Sequence, residues 1–542
     1  MEKTPFFIST PIYYVNGVPH IGHAYTSIIT DTIARYERMN GKNVHFVTGV
    51  DENSQKAVLK AQEQGKDIYE YLDEMSASHR EVWDIFHISY TDFIRTTEKR
   101  HHMLVREVLQ ACFDRGDIYP GQYELYCVGC EAFLKEEELI QKDGKKVCPD
   151  HLTEPELVKE KNYFFRLSRY QTWIEEFYRA NPTFVLPDFR YNELKAFVSR
   201  LEDFSISRET NTFGIPLPFD DSQVTYVWFD ALFNYYTSTK YSKAGNPENT
   251  EYIDESKIFW ENNAKKVHVV GKDIIRFHGI FWPCMLASYF GLGKEVDGVL
   301  HYQESDQKYL PSHLLSGGFF TVDGQKMSKT IGNVIEPVEY IKQHGKDLLT
   351  LYMLSAFPIG NDGDYDREQA VLTYNAKLAN NLGNLLNRLV VLSIKLALPL
   401  EDTSEALGKQ REDMDYWQEN FLKKYETAMN AMDLKAALDE TFSYASMLNK
   451  FTDTQEPWNT IKDPEKRTIT REVLYLIADG LRQIGIALFP FFEEKMTDLF
   501  QAIGLPEYVE QLQNGNMKRL QASKETYHIT KKFPILFEKK EI

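Results

Sequence analysis

The chain has 542 residues, 43% apolar and 26% charged. These values exclude collagen-like, wholly disordered and small disulfide-scaffold proteins, and at roughly 150 residues per domain the length predicts three to four domains. Lys plus Arg is 62 and Asp plus Glu is 80, a net charge of −18, so nucleic acid is not coated non-specifically and any contact with it is local, shaped and aromatic-assisted.

The first half alternates strand-like and helix-like segments. Phe6–Ile8 is a short apolar run, followed by a loop with Asn16-Gly17 and Pro19. A helix is predicted over Ala24–Asn40, stopped by Gly41. Val44–Val47 reads as a second strand and Ser54–Gln64 as a second helix, ended by Gly65. This βαβα pattern predicts an α/β fold, a Rossmann-like parallel sheet with residues 1–118 as its first half. Residues 119–204, Tyr119 to Phe204, hold short pieces, clustered cysteines and frequent charges, and read as an insertion. Strand signals resume at Val224–Phe229 and Val267–Val270, a helix from Ile274 through Leu286 is interrupted by Pro283, and Val299–Tyr302 and Phe319–Val322 read as further strands. Residues 205–322 thus form the second half of the sheet domain, and 323–373 a lysine-loop region. Beyond Tyr374, Leu378, Leu382, Leu385, Leu386, Leu389 and Leu392 recur at helical spacing until Pro399. Phe421–Met429, Leu434–Leu448 and Val473–Leu488 repeat that pattern, so 374–542 reads as an α-helical bundle. Thr526–Ile542 adds an edge strand or covers the surface.

No secretory signal precedes the cysteines, because Phe6–Ile8 is too short for its apolar region. The longest apolar stretch, Gly279–Phe290, is far below the ~20 residues of a membrane span. A cytoplasmic, reduced protein is expected, with clustered thiols as metal ligands. Cys127-Val-Gly-Cys130 and, seventeen residues on, Cys148-Pro-Asp-His151 form two close ligand pairs. Cys127, Cys130, Cys148 and His151 suit one closed, structural, tetrahedral Zn²⁺.

His20-Ile21-Gly22-His23 lies between the first strand and first helix. Two imidazoles at a helix N-terminus, with Gly22 letting a flat base approach, can grip a nucleoside triphosphate without a glycine-rich P-loop. Far downstream, Lys326-Met327-Ser328-Lys329-Thr330 sits in a glycine-flanked loop. Two ammonium groups on a mobile loop can close over a polyphosphate.

Together these motifs resemble the two signatures of the class I aminoacyl-tRNA synthetases, the second carrying Thr330 in place of its final serine. The text around them resembles the methionyl-tRNA synthetase family, with Thr48–Glu52, Tyr226–Leu232 and Gly271–His278 matching its pocket segments. The resemblance implies ATP-dependent activation of L-methionine, with Mg²⁺, and transfer to the 2′-hydroxyl of the terminal adenosine of tRNA(Met), initiator included. It implies that His20, Gly22, His23, Lys326, Ser328 and Lys329 hold ATP, and that His20, His23, Lys326 and Lys329 stabilise the transition state. Methionine would lie among Ile12, Tyr14, Trp228, Ala231, Leu232, Tyr235, Ile274 and His278, with Asp51 on its ammonium group. Leu232 stands where some relatives carry proline. The zinc knuckle would support an insertion orienting the tRNA acceptor end. Asn384 and Arg388, four apart on one helix face, with Pro457 and Trp458, would read the CAU anticodon. The insertion, about 85 residues, is too short for the editing domains of the branched-chain enzymes. No appended C-terminal tRNA-binding domain is visible, and a monomer is expected. A cysteine-activating relative, a non-catalytic tRNA-binding relative and a small-cofactor nucleotidyltransferase remain as alternatives.

Overall fold

The computed structural model describes residues 3–541 except 128–131, 135, 137–138, 143, 150–151, 210–212, 247, 323, 327–333 and 404–406. Six strands build its main sheet: β1 (Pro5–Tyr14), β2 (Asn43–Asp51), β3 (Asp92–Arg95), β4 (Val185–Leu186), β5 (Lys265–Gly271) and β6 (His313–Gly317). Their order is β3-β2-β1-β5-β6-β4, and every neighbouring pair is parallel. The expected parallel α/β sheet is therefore present. Successive β1 side chains serve opposite faces. Phe6 and Ile8 join one buried cluster and Phe7 the other. A strand covered on both sides reads as a continuous apolar run, as Phe6–Ile8 did.

Strand order runs outward from β1 in one direction through β2 and in the other through β5. The crevice at the carboxyl ends of β1, β2 and β5 is thus a topological switch point, where open α/β sheets bind ligands. The β1–β2 register shifts between Ser9 and Ile12, after which Tyr14 stands opposite Asp51. Such an irregularity re-aims side chains beside a site.

Helix α1 (Ile21–Met39) starts three positions before the expected Ala24 because His20 caps it. Two further helices, Ile68–Phe86 and Lys99–Asp114, were not legible as such. Tyr119–Phe204 contains a four-stranded antiparallel sheet made of Ile118–Cys127, Ala132–Leu134, Glu156–Phe165 and Phe204–Ser205. The same range also supplies β4, which pairs with β6 at the edge of the main sheet. The predicted strand Val224–Phe229 divides: Asp220–Thr225 is extended, and Val227–Ala231 is helical with Tyr226 at its N-cap. Pro283 does not end its helix. A π-helical turn, Phe277–Phe281, precedes it, and Pro283 falls in the first turn of Trp282–Phe290. The altered hydrogen-bond ladder there accommodates the missing proline N–H.

The C-terminal region is helical. Lys409–Asn430, Leu434–Gln455 and Arg467–Leu488 pack together, and their apolar faces continue the buried cluster on the α1 side of the sheet. The final segment forms one bridge, Tyr527 to Leu400, and otherwise covers the surface with buried Leu536 and Phe537. Among the described residues, no helix is long and apolar enough to cross a membrane.

Gly49 shows how tightly the site is anchored. A Cβ there would lie 2.0 Å from the Ile94 carbonyl oxygen on β3. Gly49→Ala should cost about 1–3 kcal/mol through overpacking of the β2–β3 pair, read as a lower thermal unfolding midpoint of the full chain.

Candidate active site

A cavity of about 580 Å³ opens at the switch point, within the usual range for small-molecule sites. The end of β1 contributes Pro11–Tyr14, β2 contributes Asp51, β5 contributes Gly271, and the residues after β6 contribute Gly318–Phe320. The structure gathers Ile12, Tyr14, Asp51, Trp228, Ala231, Leu232, Tyr235, Ile274 and His278 around this cavity, together with His20, Gly22 and His23.

His20 is the N-cap of α1. Its Nδ1 accepts the Gly22 N–H at 3.1 Å, and the His23 Nδ1 accepts the His20 N–H at 3.3 Å. The two rings stack with centroids 3.9 Å apart. Both Nδ1 atoms are thus acceptors, which puts each ring proton on Nε2. The motif caps its helix and remains a pair of N–H donors beside the positive end of the helix dipole. Burial, then the nearby His20 and His79, hold His23 well below the usual histidine range.

The side-chain pocket is closed by aromatic stacking and one polar pair. Trp228 lies flat on Phe277, centroids 3.8 Å apart and 4° between planes, and Tyr14 meets Trp228 edge-on at 6.3 Å. His278 Nδ1–H donates to the Ile274 carbonyl at 2.9 Å, so its Nε2 accepts the Tyr235 hydroxyl at 2.7 Å. Burial lowers the His278 pKa to about 4, keeping the ring neutral. Of the two adjacent acids, Glu52 is buried and paired with Arg95 at 2.8 Å, whereas Asp51 lines the cavity.

The lysine motif begins beside the same cavity. Phe320 lines it, and Thr321 on that strand pairs with Lys326 across a hairpin. Past the motif, the Ile335 carbonyl accepts the Ile21 N–H at 3.3 Å, at the turn holding His20 and His23. The segments that flank the lysine motif thus lie beside Phe320 on one side and the histidine turn on the other. Ser328 and Lys329 lie outside the described residues.

Other expected residues lie elsewhere. Cys127 and Cys148 are both buried in the inserted region, and two backbone bonds join Cys148 to Thr153 and Leu152. Cys130 and His151 lie outside the described residues. On the helical region, Asn384 is exposed one turn before half-buried Arg388. Arg388 reaches over the Trp458 ring at 5.8 Å and bonds Asp453 at 2.8 Å. Pro457 is buried at the start of the turn that carries Trp458.

Several residues around the site had no sequence signal. Thr26 and Asn234 line the cavity. Behind it, His268 donates from Nδ1 to Ser9 at 2.7 Å and accepts the Trp282 indole N–H at 3.1 Å, with its ring 4.3 Å from Tyr235. His268 shares its face of β5 with Val270, on the side of the sheet opposite Val267 and Val269.

Comparison with known proteins places the chain. The family model for tRNA synthetases class I (M) matches residues 6–390. The chain is 37% identical to a methionine–tRNA ligase of Fusobacterium nucleatum, over 100% of this chain and 81% of that protein. It is 38% identical to a methionine–tRNA ligase of a Nostoc species, over 93% and 90% respectively. The solved structure of Mycobacterium tuberculosis methionyl-tRNA synthetase in complex with methionyl-adenylate aligns with a TM-score of 0.86 at 30% identity, covering 98% of this chain and 99% of that one. The chain belongs to the class I tRNA synthetases, in the family described as tRNA synthetases class I (M).

Proposed function

We infer that the chain is a methionine–tRNA ligase, forming methionyl-adenylate from L-methionine and ATP and passing the methionyl group to tRNA(Met), including the initiator. The observation that carries this reading is the convergence of the thioether-type pocket, Asp51 and the two N-terminal histidines on one cavity. A long thioether suits an apolar, aromatic wall, and a carboxylate facing an ammonium group adds a charge-assisted bond. Among the described residues the cavity lining has no cysteine, which disfavours a thiolate-binding metal and hence the cysteine-specific alternative.

In this reading the methionine carboxylate attacks the α-phosphorus of ATP in line, and the bond to the β-phosphate oxygen breaks. His20 and His23 donate from Nε2 to phosphate oxygens as neutral imidazoles, without acting as nucleophile or base. Lys326 and Lys329 offset the charge that accumulates on the α-phosphorus and on departing pyrophosphate. Mg²⁺ enters with ATP, whose phosphates supply its oxygen ligands. The 2′-hydroxyl of the terminal adenosine then attacks the adenylate carbonyl and AMP leaves. Asn384, Arg388, Pro457 and Trp458 serve as the anticodon reader, a role supported by the Arg388–Trp458 contact, since an arginine-backed aromatic is a stacking surface for an unpaired base. The reading includes a monomer that works in the cytoplasm, where charged tRNA is consumed.

Cys127, Cys130, Cys148 and His151 form the zinc knuckle in this reading. Two buried thiols, Cys127 at the end of one strand and Cys148 just after another, fit a soft, closed donor set, and the bound metal would supply folding energy to the insertion.

ATP–pyrophosphate exchange across the twenty amino acids tests the function. Methionine should support exchange far above every other amino acid, and no methionine-dependent exchange would refute the reading. Lys329→Ala should depress the adenylation rate by roughly 10²-fold or more while leaving methionine affinity near the parent value. Metal analysis of the purified chain should find about one zinc per molecule, with Cys148→Ser losing it and lowering the thermal midpoint.

A further inference from the structure

Asp230 is not part of the cavity lining, although Trp228, Ala231 and Leu232 beside it in the chain are. It sits in the short helix Val227–Ala231, whose Trp228 and Ala231 face the pocket. Its side chain is fully buried. One oxygen, Oδ2, accepts the Asn53 Nδ2–H at 3.0 Å. The same amide donates to the Thr96 carbonyl at 3.1 Å, and the Glu52 N–H donates to Thr96 Oγ1 at 2.9 Å. Asn53 is two residues beyond Asp51, so this amide ties the wall that meets the substrate ammonium to the wall that meets its side chain. The other oxygen of Asp230, Oδ1, is buried without a hydrogen-bond partner among the described residues. A buried charge without full compensation is costly, and a second carboxylate stands close by in Asp51.

We propose that Asp230 is a positioning residue of the amino-acid site: clamped by Asn53, it stands behind Asp51 as a neutral carboxylic acid, so that the two acids present one negative charge to the substrate ammonium. Burial and the Asp51 charge both push the Asp230 carboxyl well above the usual carboxylate range, which agrees with this geometry. The consequence is charge matching. Two full carboxylates would favour a dication, whereas one balances the single α-ammonium of an amino acid. This inference rests on the amino-acid-activating reading above and goes beyond it in assigning Asp230 and Asn53.

Pyrophosphate exchange on the full chain, with thermal unfolding of each variant, tests it. Asp230→Asn keeps an acceptor for Asn53 and a donor in place of the acid hydroxyl, so its KM for methionine should stay within about threefold of the parent. Asp230→Ala should raise that KM roughly tenfold or more, with KM for ATP little changed. Asn53→Ala should move it in the same direction, and decides the matter if Asp230→Ala does not fold. An Asp230→Asn variant as impaired as Asp230→Ala would overturn the neutral-acid role. Unchanged KM values in folded Asp230→Ala or in Asn53→Ala would overturn the positioning role, the parent remaining active. A parent without methionine-dependent exchange would remove the functional reading and this inference together.

Discussion

One constraint organises the site: β1 and β5 are adjacent parallel strands whose outgoing connections diverge. Between their carboxyl ends no connection fills the space, and a crevice results. Several of the residues that line that crevice reach it from a strand end or shortly beyond it. Asp51 ends β2, Gly271 ends β5, and Phe320 follows β6 closely. The histidines open α1, directly after β1. Side chains at strand ends inherit the rigidity of the sheet, so the positions of donors and acceptors are set before a substrate arrives. Gly49 belongs to the same economy of space, since only the absence of a side chain lets β2 approach β3 as closely as it does.

The two histidines illustrate how a structural and a chemical role share one residue. A cap needs an acceptor at Nδ1, and a phosphate needs a donor. An imidazole offers both on opposite edges of one ring, and satisfying the cap selects the tautomer that leaves the donor on the far edge. A serine or aspartate cap would complete the helix equally well, but without a rigid N–H at that reach. Burial keeps His23 from protonating, so the pair avoids the mutual repulsion of two imidazolium rings stacked at 3.9 Å. The backbone bond from Ile21 to Ile335 then joins this cap to the chain that follows the lysine motif.

Residues bearing chemistry were legible in the sequence to the extent that they travel in short runs. His20–His23, Tyr226–Leu232 and Gly271–His278 each bring several residues to the cavity, and Thr48–Glu52 brings Asp51. The fold was less evenly legible. β4 is only two residues long and β3 only four, and both owe their extended state to neighbours rather than to local preference. Tyr226–Phe229 has the aromatic composition of a strand, yet after Tyr226 it is helical, because Trp228 must lie against Phe277. The roles of Asn53, Asp230 and His268 were not legible for another reason: their partners are far away in the chain, and no local pattern encodes a contact such as Asn53 to Asp230.

The polar pair in the pocket bears on selectivity. Tyr235 and His278 would read as hydrogen-bonding groups for a polar substrate side chain, but they spend their donors on each other and on Ile274. His278 Nδ1–H is taken by the carbonyl, its Nε2 is taken by the tyrosine hydroxyl, and the neutral ring has no further N–H to give. A glutamine side chain, close to methionine in length, would leave its water partners outside and meet Ile12, Trp228, Ala231 and Leu232 instead. Stranding an amide in that way costs a few kcal/mol, of the order of 1–3 by protein mutational measures, whereas a thioether loses nothing comparable and gains contact with aromatic faces. On the proposed reading the pocket selects by what it withholds as much as by what it offers, because Tyr235 and His278 are already paired before a substrate enters.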